Sequence, residues 1–288
     1  DAPVAVYAGG GYYFPANDQA CLRDEMAMFQ GRGYTHAKIK IGAMELADDM
    51  ARIETAADAL GDPTRLAVDA MNSLGRNRAE AMAAALAPKG LWWFEDIGDP
   101  LDFELWSDVA KTYPHAIAAG EATFGLADAR NLLRYGGLRP DKDILLFDIA
   151  HCYGLPEFVR MVVLAEDLGW DRQAFWPHGG HLFTLHAVAA LGLGGAEVNP
   201  HNFQPFGGLT DDAVVTAGQT PPPDLPGIGF EGRAAAHPHF SRQRLRARVA
   251  ELQLPTGESL LPDDTVAHVL SSGDEVIARL EGEDVRAA

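Results

Sequence analysis

Cysteine is nearly absent from the 288 residues: only Cys21 and Cys152 occur, in no disulfide framework or zinc-ligand spacing, so a reducing, cytoplasmic setting is expected. Long apolar runs are also missing. The hydrophobic stretches are short and interrupted, which argues against a membrane-spanning helix, and Asp1-Ala-Pro-Val4 lacks the basic and apolar segments of an export signal. Lysine is confined to positions 38, 40, 89, 111 and 142, no basic run exists, and the net charge is -18, so neither nucleic acid nor membrane is an expected partner. The composition is otherwise globular, with 47% hydrophobic and 22% charged residues, enough for one large core.

Apolar runs alternate with Ala-rich segments of helical period, the pattern of a parallel α/β fold. The expected strands are 4–8, 37–41, 66–69, 92–95, 117–119, 144–148, 174–177 and 197–199, and eight is the number that closes a (β/α)8, TIM-like barrel. Helices are expected over 19–31, 46–60, 78–86, 101–112, 127–135, 156–168 and 182–191, several of them ending at glycine. The barrel is assigned to residues 1–210. Residues 211–253, with the Pro-rich stretch Gln219 to Glu231 and a helix over 242–252, are expected to pack on the barrel or on a capping element, outside the barrel proper. Residues 254–288 form an acidic tail to which the sequence assigns no role.

Three carboxylates recur at intervals of 26 residues, each closing a short apolar run: Asp69 after Leu66-Ala-Val, Glu95 after Trp92-Trp-Phe, and Glu121 after Ile117-Ala-Ala-Gly. That interval is about one β/α unit, so the acids stand at the C-terminal ends of successive strands, where barrel enzymes place their chemistry. Three hard oxygen ligands converging there suit Mg²⁺. Each acid alone could instead be a helix N-cap or first-turn residue. Asp96 is expected to support a ligand from behind or to face solvent.

Lys38 and Lys40, two apart in His36-Ala-Lys-Ile-Lys-Ile-Gly42, face the same side of a strand and point into the barrel mouth. A neighbouring cation and partial desolvation both lower a lysine pKa, which makes one of the pair a candidate general base. The alternative is an edge strand with two surface lysines. Asp148 and His178 each follow an apolar run, so a carboxylate on one strand end can fix the tautomer of an imidazole on the next. His178, His181 and His186 also read as metal ligands, a weaker zinc reading for want of a Cys or acidic partner. Glu197 is either a proton donor to a substrate carboxylate or a satisfied structural acid.

The motifs Lys38-Ile-Lys40, Val68-Asp69-Ala70, Phe94-Glu95-Asp96, Gly120-Glu121, Asp148 and His178 resemble, over about residues 3–232, the barrel domain of the enolase superfamily in its mandelate racemase subgroup. Within it, Glu95 to Pro100, Pro177-His-Gly-Gly-His181 and Phe203-Gln-Pro-Phe-Gly-Gly208 are most similar to the D-tartrate dehydratases and their relatives. The resemblance implies Mg²⁺ on Asp69, Glu95 and Glu121, Lys40 as the base, Lys38 beside the substrate carboxylate, and the Asp148 and His178 pair as acid on the opposite face. It implies dehydration of a small-molecule hydroxy or sugar acid, D-tartrate to oxaloacetate, in a homo-oligomer. A racemase or epimerase, a dehydratase of a longer sugar acid, and a non-catalytic metal-binding barrel are the alternatives. Two departures stand out. Met71 intervenes before Asn72, and the family's N-terminal capping domain has no counterpart ahead of residue 1, so the sequence reads as a fragment lacking its natural beginning.

Overall fold

The short apolar runs become parallel strands and the stretches between them become helices, because each strand needs a covered face and each helix an apolar stripe to cover it. The computed structural model describes residues 3–225 and 227–236. The chain divides into two units, Asp1–Gly229 and Phe230–Ala288. In order, the first contains β1 (Val4–Gly9), α1 (Asp18–Gly31), β2 (Ala37–Lys40), α2 (Leu46–Leu60), β3 (Leu66–Asp69), α3 (Arg76–Leu86), β4 (Trp93–Glu95) and α4 (Phe103–Thr112). It continues with β5 (Ile117–Ala119), α5 (Leu126–Tyr135), β6 (Ile144–Leu145), α6 (Leu155–Asp167), α7 (Leu182–Leu191), β7 (Ala196–Val198) and β8 (Gln219–Thr220). The described part of the second unit is a 3₁₀ turn, Phe230–Gly232, and the few residues after it. The expected helix over 242–252 and the acidic tail lie outside the described residues.

The sheet runs β6-β5-β4-β3-β2-β1-β7 with every pair parallel, curling into the α/β, TIM-barrel-like form expected. The sixth and seventh runs fall furthest short of the strands expected. Beyond Leu145 the chain leaves the ladder, although Leu146 N–H still donates to Ala119 O. The seventh run forms a single bridge, Leu145 to Phe175, because Ala174 ends a 3₁₀ turn and Pro177 brings no N–H to a ladder. Trp176 and His178 nevertheless donate their N–H groups to Leu145 and Leu146. The Pro-rich stretch begins on the barrel itself: Gln219–Thr220 pairs antiparallel with Val4–Ala5.

Alternation sorts each strand into two cores. Ile39, Val68, Phe94, Ile117 and Leu145 join the helices in the outer shell. Tyr7, Ala67, Trp93, Ala118 and Leu146 form a separate inner cluster with Trp92 and Trp176 packed on it. Full burial of a side chain such as Phe94 contributes about 2–3 kcal/mol. The inner aromatics are a dry floor, and the acids two positions further along β3 and β4, Asp69 and Glu95, stand on it. Among the described residues, no helix is long and apolar enough to cross a membrane.

Candidate active site

Register brings the charges together. Lys40 pairs with Asp69 across β2 and β3, and Asp69 with Glu95 across β3 and β4, so three inward-pointing residues lie in one row. Lys40 Nζ bonds Asp69 Oδ2. Lys38, one pleat lower and fully buried, reaches Glu95 Oε1 at 2.5 Å, Glu197 Oε1 at 3.3 Å and Asp69 Oδ2 at 3.6 Å. Glu197 enters from β7 beside Gly9, where a Cβ would stand 2.3 Å from Glu197 Oε1; glycine is what admits the carboxylate.

The lysines therefore do not lie on a solvated edge, and their titration runs opposite to the expectation. Burial and Lys38 both favour deprotonation of Lys40, yet Asp69, Glu197 and Glu95 outweigh them and raise its pKa above the ordinary value. Lys38 behaves alike: burial pushes it down, and Glu197 and Glu95 hold it well above. Sequence reasoning weighed the second ammonium and desolvation but left out the acids facing them. Of the two readings of Glu197, its surroundings suit the satisfied structural acid: burial raises its pKa, but Lys38, His178 and Lys40 hold it below the ordinary glutamate value, so it is a carboxylate paired with Lys38 and a poor proton donor.

The three predicted metal acids divide in space. Oxygens of Asp69, Glu95 and Asp96 lie within 4.8 Å of one another, all three residues buried. Glu121, partly exposed, instead puts Oε2 3.3 Å from His178 Nε2. Asp96 does not face solvent. It sits at φ 47°, held by Asn72, whose N–H donates to Asp96 O at 2.7 Å and whose side-chain amide donates to Asp96 Oδ2 at 3.0 Å. Met71 and Asn72 are themselves left-handed, at φ 53° and 55°, so the departure at Met71 builds the turn that grips Asp96. Burial raises the Asp96 pKa well above the ordinary range, Glu121 and Asp69 adding to it, and burial also raises Glu95. Asp69 is lowered to about 2, because Lys40 and Lys38 outweigh its burial. Three buried carboxylates crowded together are short of positive charge, and an all-oxygen set of this kind fits a hard divalent cation.

Asp148 and His178 meet as expected, His178 Nδ1 lying 2.8 Å from Asp148 Oδ2. Burial lowers the His178 pKa, but Asp148, Glu197 and Glu121 raise it further, to about 9. Asp148 falls well below its ordinary value, since its hydrogen bonds to His178 and His181 and the Ala150 N–H outweigh burial. The pair is an imidazolium held by a carboxylate, with Nε2 turned to the site. His186 is elsewhere, Nε2 3.1 Å from Ile228 O, so the three histidines do not form a cluster.

Sequence reasoning missed three residues. Trp93 donates its indole N–H to Glu95 Oε2 at 2.7 Å, Tyr12 places its ring 5.5 Å from Lys40 Nζ, and His151 Nδ1 lies 2.9 Å from Glu121 O. Only Trp93 carried a signal, because two residues before Glu95 on a strand is the same face.

A profile described as enolase C-terminal domain-like matches residues 22–236. A 3,6-anhydro-alpha-L-galactonate cycloisomerase of Streptomyces coelicolor is 30% identical over 230 residues, covering 80% of this chain and 61% of the relative. An arabinonate dehydratase of Saccharolobus solfataricus is 26% identical over 230 residues, 79% of this chain and 61% of that protein. The crystal structure of an L-talarate dehydratase from Polaromonas sp. JS666, complexed with Mg and L-glucarate, superposes with a TM-score of 0.68 at 27% identity, covering 80% of this chain and 61% of that one. The chain thus spans about three fifths, 61%, of the curated relatives it matches. With lysines on β2, acids ending β3 and β4, and a carboxylate-held histidine after the seventh run, the chain belongs to the enolase superfamily, through its C-terminal domain-like family.

Proposed function

We propose that this chain is the catalytic barrel of a Mg²⁺-dependent acid-sugar dehydratase, a hydro-lyase, with D-tartrate to oxaloacetate as its favoured reaction. The observation that carries the reading is the pairing of Lys40, in the row with Asp69 and Glu95, with a His178 that Asp148 keeps protonated near neutrality. Along the sheet the acids of β3 and β4 and the loop after β5 lie between the two groups. The dehydratases among the relatives act on acid sugars by their names, which supports a substrate bearing a carboxylate and hydroxyls.

A proton beside a carboxylate is weakly acidic, and the negative charge formed when it leaves must be met by fixed positive charge. Asp69 and Glu95 would hold the ion, with Glu121 as the third ligand read from the sequence and Asp96 the third oxygen nearby. Held there, Mg²⁺ would supply positive charge that offsets these acids, which otherwise hold the Lys40 proton, and the charge developing on the substrate. Lys38, buried under the site, adds a fixed ammonium beside the substrate carboxylate. Lys40, after giving its own proton to solvent, takes the α-proton. His178 then gives the Nε2 proton to the departing β-hydroxyl, which leaves as water, and the enol tautomerises to the keto acid. Lysine and histidine in these places could also exchange a proton between two faces, and one relative is a cycloisomerase, so a racemase, or a dehydratase of a longer sugar acid, is the second reading.

The test is oxaloacetate formation from D-tartrate with and without Mg²⁺, beside α-proton exchange in heavy water on D-tartrate and longer sugar acids. Metal-dependent oxaloacetate supports the favoured reaction, and exchange without elimination supports the second reading. No exchange on any of them by a protein carrying the full length of its relatives would leave a metal-binding barrel without turnover.

A further inference from the structure

His151 lies outside the proton-transfer pair, yet its geometry is that of a ligand. Its Nδ1 is 2.9 Å from Glu121 O, an oxygen that can only accept, so Nδ1 carries a hydrogen and, in the neutral ring, Nε2 presents a lone pair. That lone pair faces Asp148 Oδ2 at 3.7 Å. Two acceptors facing each other need a proton or a cation between them. His178 Nδ1 reaches the same Asp148 oxygen from the other side, and its ring lies 5.5 Å from that of His151. One ligand atom from each of Asp148, His151 and His178 falls within 4.8 Å of the others.

The carboxylate at the centre is held in place. Asp148 is buried, and its other oxygen accepts the Ala150 N–H at 2.6 Å and the His151 N–H at 3.4 Å. The Thr184 N–H donates to His181 Nδ1 at 3.3 Å, which leaves His181 Nε2 as the protonated nitrogen, turned to Asp148 Oδ1 at 3.7 Å. A histidine whose far nitrogen donates to a backbone carbonyl, beside a carboxylate fixed from behind, is the usual support of a metal ligand set. Two imidazoles and one carboxylate suit Zn²⁺, Co²⁺ or Ni²⁺, whereas Mg²⁺ prefers oxygen alone.

We propose that Asp148, His151 and His178 form a second, borderline-metal site that binds Zn²⁺ separately from the carboxylate cluster and, by taking His178 Nδ1 from Asp148, switches off the acid of the proposed dehydration. The inhibitory part rests on the function proposed above; the binding part does not.

The experiment is a Co²⁺ titration of the untagged 288-residue chain in excess Mg²⁺, followed by visible absorption, with Zn²⁺ as the displacing ion. The expected result is one equivalent of Co²⁺ that excess Mg²⁺ does not displace and Zn²⁺ does. Its absorption band should be retained in Glu95→Gln, and affinity should fall at least tenfold in His151→Phe and in Asp148→Asn. Wild-type affinity in His151→Phe, or no Co²⁺ bound beyond what Mg²⁺ displaces, would overturn the site. A folded His151→Phe protein, checked by circular dichroism, excludes loss through unfolding. Where turnover is measurable, Zn²⁺ should inhibit the wild type at least tenfold more strongly than His151→Phe, each against its own zinc-free rate. Equal inhibition removes the switch while leaving the dehydratase reading untouched.

Discussion

The Trp93 indole N–H donates to Glu95 Oε2 at 2.7 Å, joining the aromatic floor of the barrel to the acid row above it. Trp93 is fully buried and in edge contact with Tyr7, so the donor cannot turn away. It fixes one Glu95 oxygen and leaves the other, now on Lys38, facing the site. Trp93→Phe keeps most of the packing and removes the donor. Mg²⁺ or Mn²⁺ affinity, measured by calorimetry, should fall by about tenfold, the lower end of what loss of a partner to a metal ligand costs. Unchanged affinity would show that Glu95 does not need the indole.

Lys40 lies against Asp69 with both side chains nearly or wholly buried. Removing one partner of such a pair strands the other, at a cost of about 3–5 kcal/mol. Lys40→Ala should therefore lower the metal-free melting temperature. Mg²⁺ should recover more of that loss than it adds to the wild type, since Asp69 then gains a cation. The same variant should lose α-proton exchange by at least about a hundredfold, the lower bound of general-base catalysis. Exchange at the wild-type rate would remove Lys40 as the base.

The chemistry was more legible than its electrostatics. Most strand and helix positions follow from apolar runs and glycine stops because both are local signals, as at α2 and α7, which end on Gly61 at φ 75° and Gly192 at φ 66°. The seventh run failed as a strand because its pairing depends on how the chain turns into Pro177, which periodicity does not encode. Register explains why Lys38, Lys40, Asp69 and Glu95 were read together. What could not be read was distance between non-neighbouring strands: Glu197 next to Lys38 and Glu121 next to His178. Asp69 stands beside Lys40 in register, but how closely it and Glu197 approach the ammonium, which fixes the direction of the Lys40 shift, is not a property of strands taken one at a time.

His178 binds its proton more tightly in the fold, at about 9, than the ordinary histidine value of 6.5. The fold then gains stability from protonated His178 that is complete below 6.5 and disappears as pH rises through about 9. Asp148, shifted downward, contributes stability above the ordinary aspartate range that is lost only in acid. Wild type should lose stability between pH 6.5 and 9 relative to His178→Asn, measured by urea unfolding at each pH. Parallel curves across that window would mean that His178 is not held protonated. Any elimination step that uses His178 as acid should fail over the same upper range.

The third ligand to the cation can be decided between Asp96 and Glu121. Asp96 lies among the buried acids, but burial and its neighbours raise its pKa well above the ordinary range and so favour its protonated form, and Asn72 already occupies one of its oxygens. A protonated acid resembles an amide, so Asp96→Asn should change Mg²⁺ affinity little, while Asn72→Ala should cost about 1–3 kcal/mol in urea unfolding by freeing a buried acceptor. Glu121 is partly exposed, and its Oε2 lies 3.3 Å from His178 Nε2, a long contact that a cation could replace. Glu121→Gln should weaken Mg²⁺ binding more than about tenfold, beyond the least effect expected for a group that only supports a ligand. The reverse order of the two variants would make Asp96 the ligand. Glu121 would then serve to hold the His178 proton, and its loss would appear as a lowered His178 pKa by NMR.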